Sequence, residues 1–330
     1  MLFMLLKPEE KTLYNFTIDA HLDLGGIVHN RRKKGEKNVL DRLFLKDFKT
    51  AKVKLVIAAI FVETDRIEMA LSEALQQIQA IKNDLSSSFQ MVYTKSDLED
   101  VMHSDKIGIL LSLEGLEPIM HHLEFLNIFY DLGVRAIGLT WSRRNYVADG
   151  SYFRNPREGI RGGLTPFGIQ VVEYAEKLGM IIDVSHLNDQ GFEDVIEYTN
   201  ESLIASHSNS RFLNNIPRNL TDTQIETIAK RQGVIGVNAY TFIVDENEQT
   251  LERLCDHIDH FIKIGGEDCV GFGFDFCDLY YNDGKKHDVI NYKELKTIAS
   301  NLQSRGYSDE VIRKVYGENF YKMLLRRLPK

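Results

Sequence analysis

Short apolar runs alternate with longer amphipathic stretches along most of this chain. The runs fall at residues 17–23, 53–62, 107–114, 134–140, 180–186, 203–207, 234–239 and 269–275. A run that is apolar on both faces is what a strand packed between two layers requires, so each predicts a buried strand. The stretches between them have polar faces and capping residues at their starts, and predict helices over 65–84, 96–102, 122–132, 166–178, 189–198, 221–231 and 250–264. Strand and helix alternating about eight times, with no Pro/Gly-rich linker between halves, predicts parallel strands, right-handed crossovers and a closed TIM-type (β/α)8 barrel. An open doubly wound sheet is the alternative. It fits less well, because the Gly-rich GFGFD closes the last strand and no GxGxxG opens a helix. Residues 292–327 predict two or three closing helices, with 319–326 (NFYKMLLR) packed against the barrel, and the whole of 1–330 reads as a single domain.

Four of the runs end on side chains that bind metals: TIDAHLD, IGILLSLE, MIIDVSH and LIASH. The end of a barrel strand is where the chain leaves the core and meets solvent, so polar groups there predict the functional face. Of ten histidines, His29, His103, His121, His122, His257, His260 and His287 fall in loops or helix-like segments and read as solvated or hydrogen-bonded. His21, His186 and His207 each end an apolar strand, where a neutral imidazole needs a partner. His21 and Asp23 are two apart, which in a strand aims both toward the barrel axis. Singly, each of these residues reads as a structural strand end. Together with Glu114 they make three nitrogens and two carboxylates around one mouth, a ligand set for two borderline divalent ions with Glu114 placed to bridge them.

Asp275, closing GFGFD, is the candidate proton acceptor, with flanking glycines expected to admit a ligand closely. A water bridging the two ions would become a hydroxide nucleophile near neutral pH, and Asp275 would pass its proton to a leaving amine. Its structural alternative is a helix cap.

The bulk properties narrow the setting. A net charge of -8 over 330 residues argues against a basic groove for nucleic acid. The basic block Arg31, Arg32, Lys33, Lys34 is expected to be a solvated loop. Cys255, Cys269 and Cys277 are an odd number without paired spacing, so reduced thiols are expected. The opening MLFMLL is too short for a secretory signal, and no stretch approaches the ~18 apolar residues of a membrane span, so a cytoplasmic protein with no membrane partner is expected.

The ordered set HLD, SLEG, GLTPFG, DVSH, SHS, then Arg218-Asn219 eleven residues beyond His207, and finally GFGFDF, resembles the membrane dipeptidase (renal dipeptidase) family of zinc metallopeptidases. The resemblance spans about 16–325 and implies an amidohydrolase-like barrel. It implies two Zn2+, one on His21 and Asp23 and one on His186 and His207, bridged by Glu114, with Asp275 as acid/base and Arg218 holding the carboxylate of a small dipeptide substrate. Arg211 competes for that role, and Tyr240 is a candidate pocket residue. Where the vertebrate members have Thr-His-Ser, with a histidine thought to polarise the carbonyl, this chain has Thr140-Trp141-Ser142, as in the bacterial branch. Trp141 offers a single N–H, and Arg143, Arg144 and Asn145 are candidate replacement donors. Tolerance of a D-residue at the C-terminal side and a homodimer are further implications. Alternatives are another binuclear amidohydrolase acting on cyclic amides, lactones or N-acyl amino acids, or a catalytically idle metal-binding barrel.

Overall fold

Every predicted apolar run forms a strand. Within the residues described by this computed structural model, 13–153 and 159–330, the strands are β1 (Thr17–Leu22), β2 (Val53–Phe61), β3 (Phe89–Met91), β4 (Ile107–Glu114), β5 (Val134–Gly138), β6 (Ile181–Asp183), β7 (Ile204–Ala205), β8 (Val234–Val237) and β9 (Val270–Phe272). The opening MLFMLL lies outside the described residues. All pairings are parallel, and β2 joins both β1 and β4, so eight strands close into a barrel. The unpredicted β3 lies beside Ile107–Ile109 of β4, below the point where β5 first pairs at Leu111. It covers a strand edge that would otherwise leave backbone groups unpaired.

Alternation along the strands separates two apolar layers. Leu55, Ile57, Leu110, Ala136, Ile181, Ile204 and Val234 fill the barrel interior together with Phe320, Met323 and Leu324 of the last helix, Asn319–Arg327. That helix therefore plugs the N-terminal mouth, as NFYKMLLR predicted, and leaves the opposite mouth for chemistry. Val56, Ala58, Ile60, Ile109, Leu111 and Leu113 face outward against the helices.

The helices follow their caps. Thr165 accepts from Gly168 N with Pro166 in the first turn, and left-handed Gly179 ends the same helix, Pro166–Leu178. Thr221 and Gln224 form a capping box at the start of Asp222–Lys230. The longest of the helices not predicted is Leu24–Lys33, because Gly25 and Gly26 weaken its propensity. Gly25 is needed there: a Cβ would come within 2.7 Å of Ala59 O, so the glycine lets this helix lie flush on β2. The expected basic loop is corrected accordingly. Arg31, Arg32 and Lys33 are the last turn of that helix, where cations complement the helix dipole, and Arg32 pairs with buried Asp84 at 2.5 Å. All three cysteines are free and buried. Among the described residues no helix is long and apolar enough to cross a membrane.

Candidate metal centre

His21 faces into the barrel because β1 is irregular. Ile18 pairs with Leu55, both inward, but between Asp19 and Leu22 the register slips against Val56 and Ala58, leaving one extra residue on β1. Strict alternation from Ile18 and Ala20 would send His21 outward, and the bulge turns it in. Asp19 secures the bulge, accepting from His21 N at 3.2 Å, Phe274 N at 3.0 Å and the Tyr292 hydroxyl. Glu114 ends β4 on the inward side, in step with Leu110. The other four polar ends are not strand residues, which corrects the sequence reading: β1 stops at Leu22, so Asp23 stands at the start of the helix Leu24–Lys33, and β6, β7 and β9 stop at Asp183, Ala205 and Phe272, so His186, His207 and Asp275 lie on the loops beyond. His186 and Asp275 have φ of 65° and 56°, the left-handed region that costs a side-chain-bearing residue on the order of 1–3 kcal/mol. Two donors hold His186 in that conformation through its carbonyl, Ser151 N at 2.6 Å and Thr140 Oγ1 at 3.2 Å.

From these separate elements the donor atoms converge. Glu114 divides its carboxylate: Oε2 lies 3.4 Å from His21 Nε2, while Oε1 lies 3.1 Å from His186 Nε2 and 3.5 Å from His207 Nε2. His186 Nε2 and His207 Nε2 are 2.9 Å apart. Asp23 and Asp275 group with His21 on the other side, donor atoms within 4.8 Å of one another. His21 Nε2 and Asp23 Oδ1 are buried with no hydrogen-bond partner, an unfavourable state unless something else neutralises them. Imidazole and carboxylate donors suit borderline divalent cations such as zinc, so the donor set fits the metals the sequence implied.

Behind the ligands stands a row of hydroxyls that sequence reasoning did not identify. Ser142 Oγ lies 2.7 Å from His186 Nδ1, and Ser206 Oγ lies 2.7 Å from His207 Nδ1. Asp183 accepts the Ser206 hydroxyl and also the backbone N–H of Ser206 and Ser185, both at 2.9 Å. The only signal in sequence was adjacency, as Asp183 lies in DVSH and Ser206 in SHS.

Charge is unevenly distributed over the cluster. Burial opposes protonation of His21, but Glu114, Asp275 and Asp23 outweigh it and push its pKa up to about 10. Burial, with help from Arg218, drives His186 down to about 3; burial, with His21 and Arg218, also lowers His207. Asp23 and Asp275 are raised, by burial first and then by mutual repulsion with Glu114. Burial works against Glu114 too, yet His21 and its neighbours hold its carboxylate ionised. Two neutral imidazoles, and a His21 that the surrounding carboxylates hold protonated, are a donor set short of positive charge.

A cavity of about 450 Å³ opens over this cluster, with Asp23, Glu114, His186 and Asp275 on its floor and Trp141 and Tyr240 in its walls. Trp141 stacks obliquely 5.7 Å from His186 and 5.4 Å from Phe61. The candidate replacement donors beside it are committed elsewhere. Arg143 binds Glu117 at 2.8 Å and lies over the Trp141 ring, Arg144 binds Asp149, and Asn145 bonds to Leu139 O and the backbone at 147 and 148. Arg211 is likewise engaged, in a two-pronged pair with Asp189 at 2.8 Å. Arg218 is buried behind His207, donating to His207 O at 2.6 Å and Ser208 Oγ at 2.9 Å, with Nε unpartnered. Asp275 is steered by Asn238, whose Nδ2 donates to Oδ2 at 3.0 Å. The glycines around Asp275 serve packing rather than a ligand: a Cβ at Gly273 would collide with Ser206 O, and one at Gly271 with the Phe320 ring. Of the histidines set aside, His257 is buried between Ser210 N and Val244 O, and His260 pairs with Asp222 at 2.7 Å.

Comparison with known proteins agrees with this geometry. The sequence pattern of the membrane dipeptidase family, peptidase family M19, matches residues 13–326. An uncharacterised protein from the pqqA 5' region of Klebsiella pneumoniae is 30% identical over 76% of this chain and 94% of its own length. Dipeptidase tcpJ of Claviceps purpurea is 28% identical over 87% of this chain and 70% of its own. A metallo peptidase from Rhodobacter sphaeroides, solved with a phosphinate mimic of the dipeptide L-Ala-D-Ala, superposes with a TM-score of 0.85 at 25% identity, covering 96% of this chain and 99% of that one. With the family pattern running through nearly all of the barrel and its donor loops, the chain belongs to the membrane dipeptidase family of metallopeptidases, M19.

Proposed function

We propose that this protein hydrolyses the peptide bond of dipeptides with two zinc ions, accepting a D-residue at the C-terminal position. The observation that carries the reading is the split carboxylate of Glu114, one oxygen toward His21 and the other toward His186 and His207. His21 and Asp23 would hold one ion, His186 and His207 the second, with Glu114 shared. When bound, such ions polarise a carbonyl oxygen and lower the pKa of a water to near neutrality.

The chain's own residues carry the remaining steps. Asp275, steered by Asn238 and raised in pKa by burial, accepts the proton of the attacking water and returns it to the departing amine nitrogen as the C–N bond breaks. Arg218, a guanidinium buried beside the ligands, supplies the positive field for the substrate's carboxylate end. Trp141 and Tyr240 wall the cavity, exclude water and limit the size of the side chains admitted. The L-Ala-D-Ala mimic held by the Rhodobacter sphaeroides peptidase supports both the substrate class and the D-residue.

The test is turnover of L-Ala-D-Ala and L-Ala-L-Ala against a cyclic amide, a lactone and an N-acyl amino acid, before and after chelation. Dipeptide hydrolysis that disappears with the chelator and returns with zinc is expected. Faster turnover of a non-peptide compound would assign the site to another amide or ester. Asp275→Asn is expected to lower kcat by roughly 10²–10⁴, and full activity in that variant, or turnover in metal-free protein, would overturn the mechanism.

A further inference from the structure

The cavity holds a fourth carboxylate that the proposed reaction does not use. Asp23 and Glu114 belong to the ligand set and Asp275 to proton transfer, but Glu63 also lines the cavity. It lies on the loop after β2, and Tyr280, on the short helix Asp278–Tyr281 within the loop after β9, donates its hydroxyl to Oε1. Because β1 sits between β2 and β9 in the barrel, this pair of loops meets over the residue that follows β1, Asp23. Room for the Tyr280 ring comes from Gly26, where a Cβ would stand 2.9 Å from the ring. No cation compensates Glu63 among the described residues. Among those residues no lysine or arginine lines the cavity, and Arg143, which bonds to the flanking Val62 O and Thr64 Oγ1, is paired with Glu117.

A half-buried carboxylate fixed by a tyrosine, with no counter-charge among the described residues, aimed into a cavity walled by aromatic rings, is a receptor for an ammonium group. We propose that Glu63, positioned by Tyr280, is a specificity residue that binds a cationic nitrogen of the substrate. The inference rests on the dipeptidase reading. Two nitrogens offer that chemistry, the free α-amino group of any dipeptide and the side chain of a lysine-containing one.

The experiment compares wild type with Glu63→Gln on Lys-Ala, Ala-Ala and propionyl-alanine, which lacks the amine, using KM where a compound is cleaved and Ki where it is not. Loss of one charge-assisted contact is expected to raise KM by about tenfold with kcat little changed. A rise confined to Lys-Ala identifies the side-chain nitrogen. A rise on both dipeptides, with propionyl-alanine unaffected, identifies the α-amino group. Unchanged constants, or an equal rise on propionyl-alanine, would overturn the assignment. Tyr280→Phe, which keeps the charge but frees the carboxylate, is expected to shift KM less than Glu63→Gln. If wild-type metalloprotein cleaves no dipeptide, the dipeptidase reading falls, and calorimetric affinities of the same three compounds still decide the role of Glu63.

Discussion

Ser206 Oγ stands 2.7 Å from Nδ1 of His207 and gives its own proton to Asp183. A hydroxyl has one proton, so the hydrogen between serine and imidazole belongs to the histidine, and Nε2 is left with its lone pair toward Glu114 and His186. Replacing Ser206 by Ala removes that control and leaves Asp183 with one fewer donor. Metal affinity is expected to fall by about 10–100-fold, the usual cost of losing a partner behind a ligand, as read by competition with a chromogenic chelator.

The divided carboxylate of Glu114 predicts unequal consequences for neighbouring ligands. Glu114→Gln should lower occupancy at both positions, whereas His186→Ala should empty mainly one. Elemental analysis after gel filtration measures this directly. Equal stoichiometry in both variants would remove Glu114 from its shared position.

Gly273 tests how tightly the mouth is built. A methyl group there meets the carbonyl of Ser206, one residue before His207, and backbone cannot move aside as a flexible side chain can. Gly273→Ala is therefore expected to cost about 1–3 kcal/mol or more and to weaken metal binding. Urea unfolding and metal titration of the same sample measure the two effects.

His257 gives a pH prediction remote from the ligands. Burial lowers its pKa to about 4, with the Val244 carbonyl bond opposing only in part. The unfolded chain takes up the proton near 6.5 and the folded one does not, so stability present above about 6.5 is lost as pH falls toward 4, at up to ~1.4 kcal/mol per unit. Unfolding free energies between pH 7 and 4.5 should fall more steeply for wild type than for His257→Gln. Parallel slopes would show that His257 is not held neutral.

Much of this protein is legible along the chain. Apolar runs packed on both faces mark eight barrel strands, and a polar residue closing a run marks where the chain emerges, so His21, Asp23, Glu114, His186, His207 and Asp275 could all be named from local pattern. The helices were readable for the same reason, since capping residues act within one turn of the backbone they satisfy. Where local signals conflicted with packing, packing won: Gly25 and Gly26 hid a helix that exists because it lies against β2.

What the tertiary structure alone decided is where side chains aim and what holds them. His21 points inward because of a register slip against β2, a property of two strands together. Asp183 and Ser206 are 23 positions apart, and Glu63 and Tyr280 are 217 apart. Periodicity is written within a few neighbouring residues, whereas these pairings exist only once the barrel sets β6 beside β7 and β1 between β2 and β9. The sequence determined which donors reach the mouth, and closure of the barrel determined how they face one another.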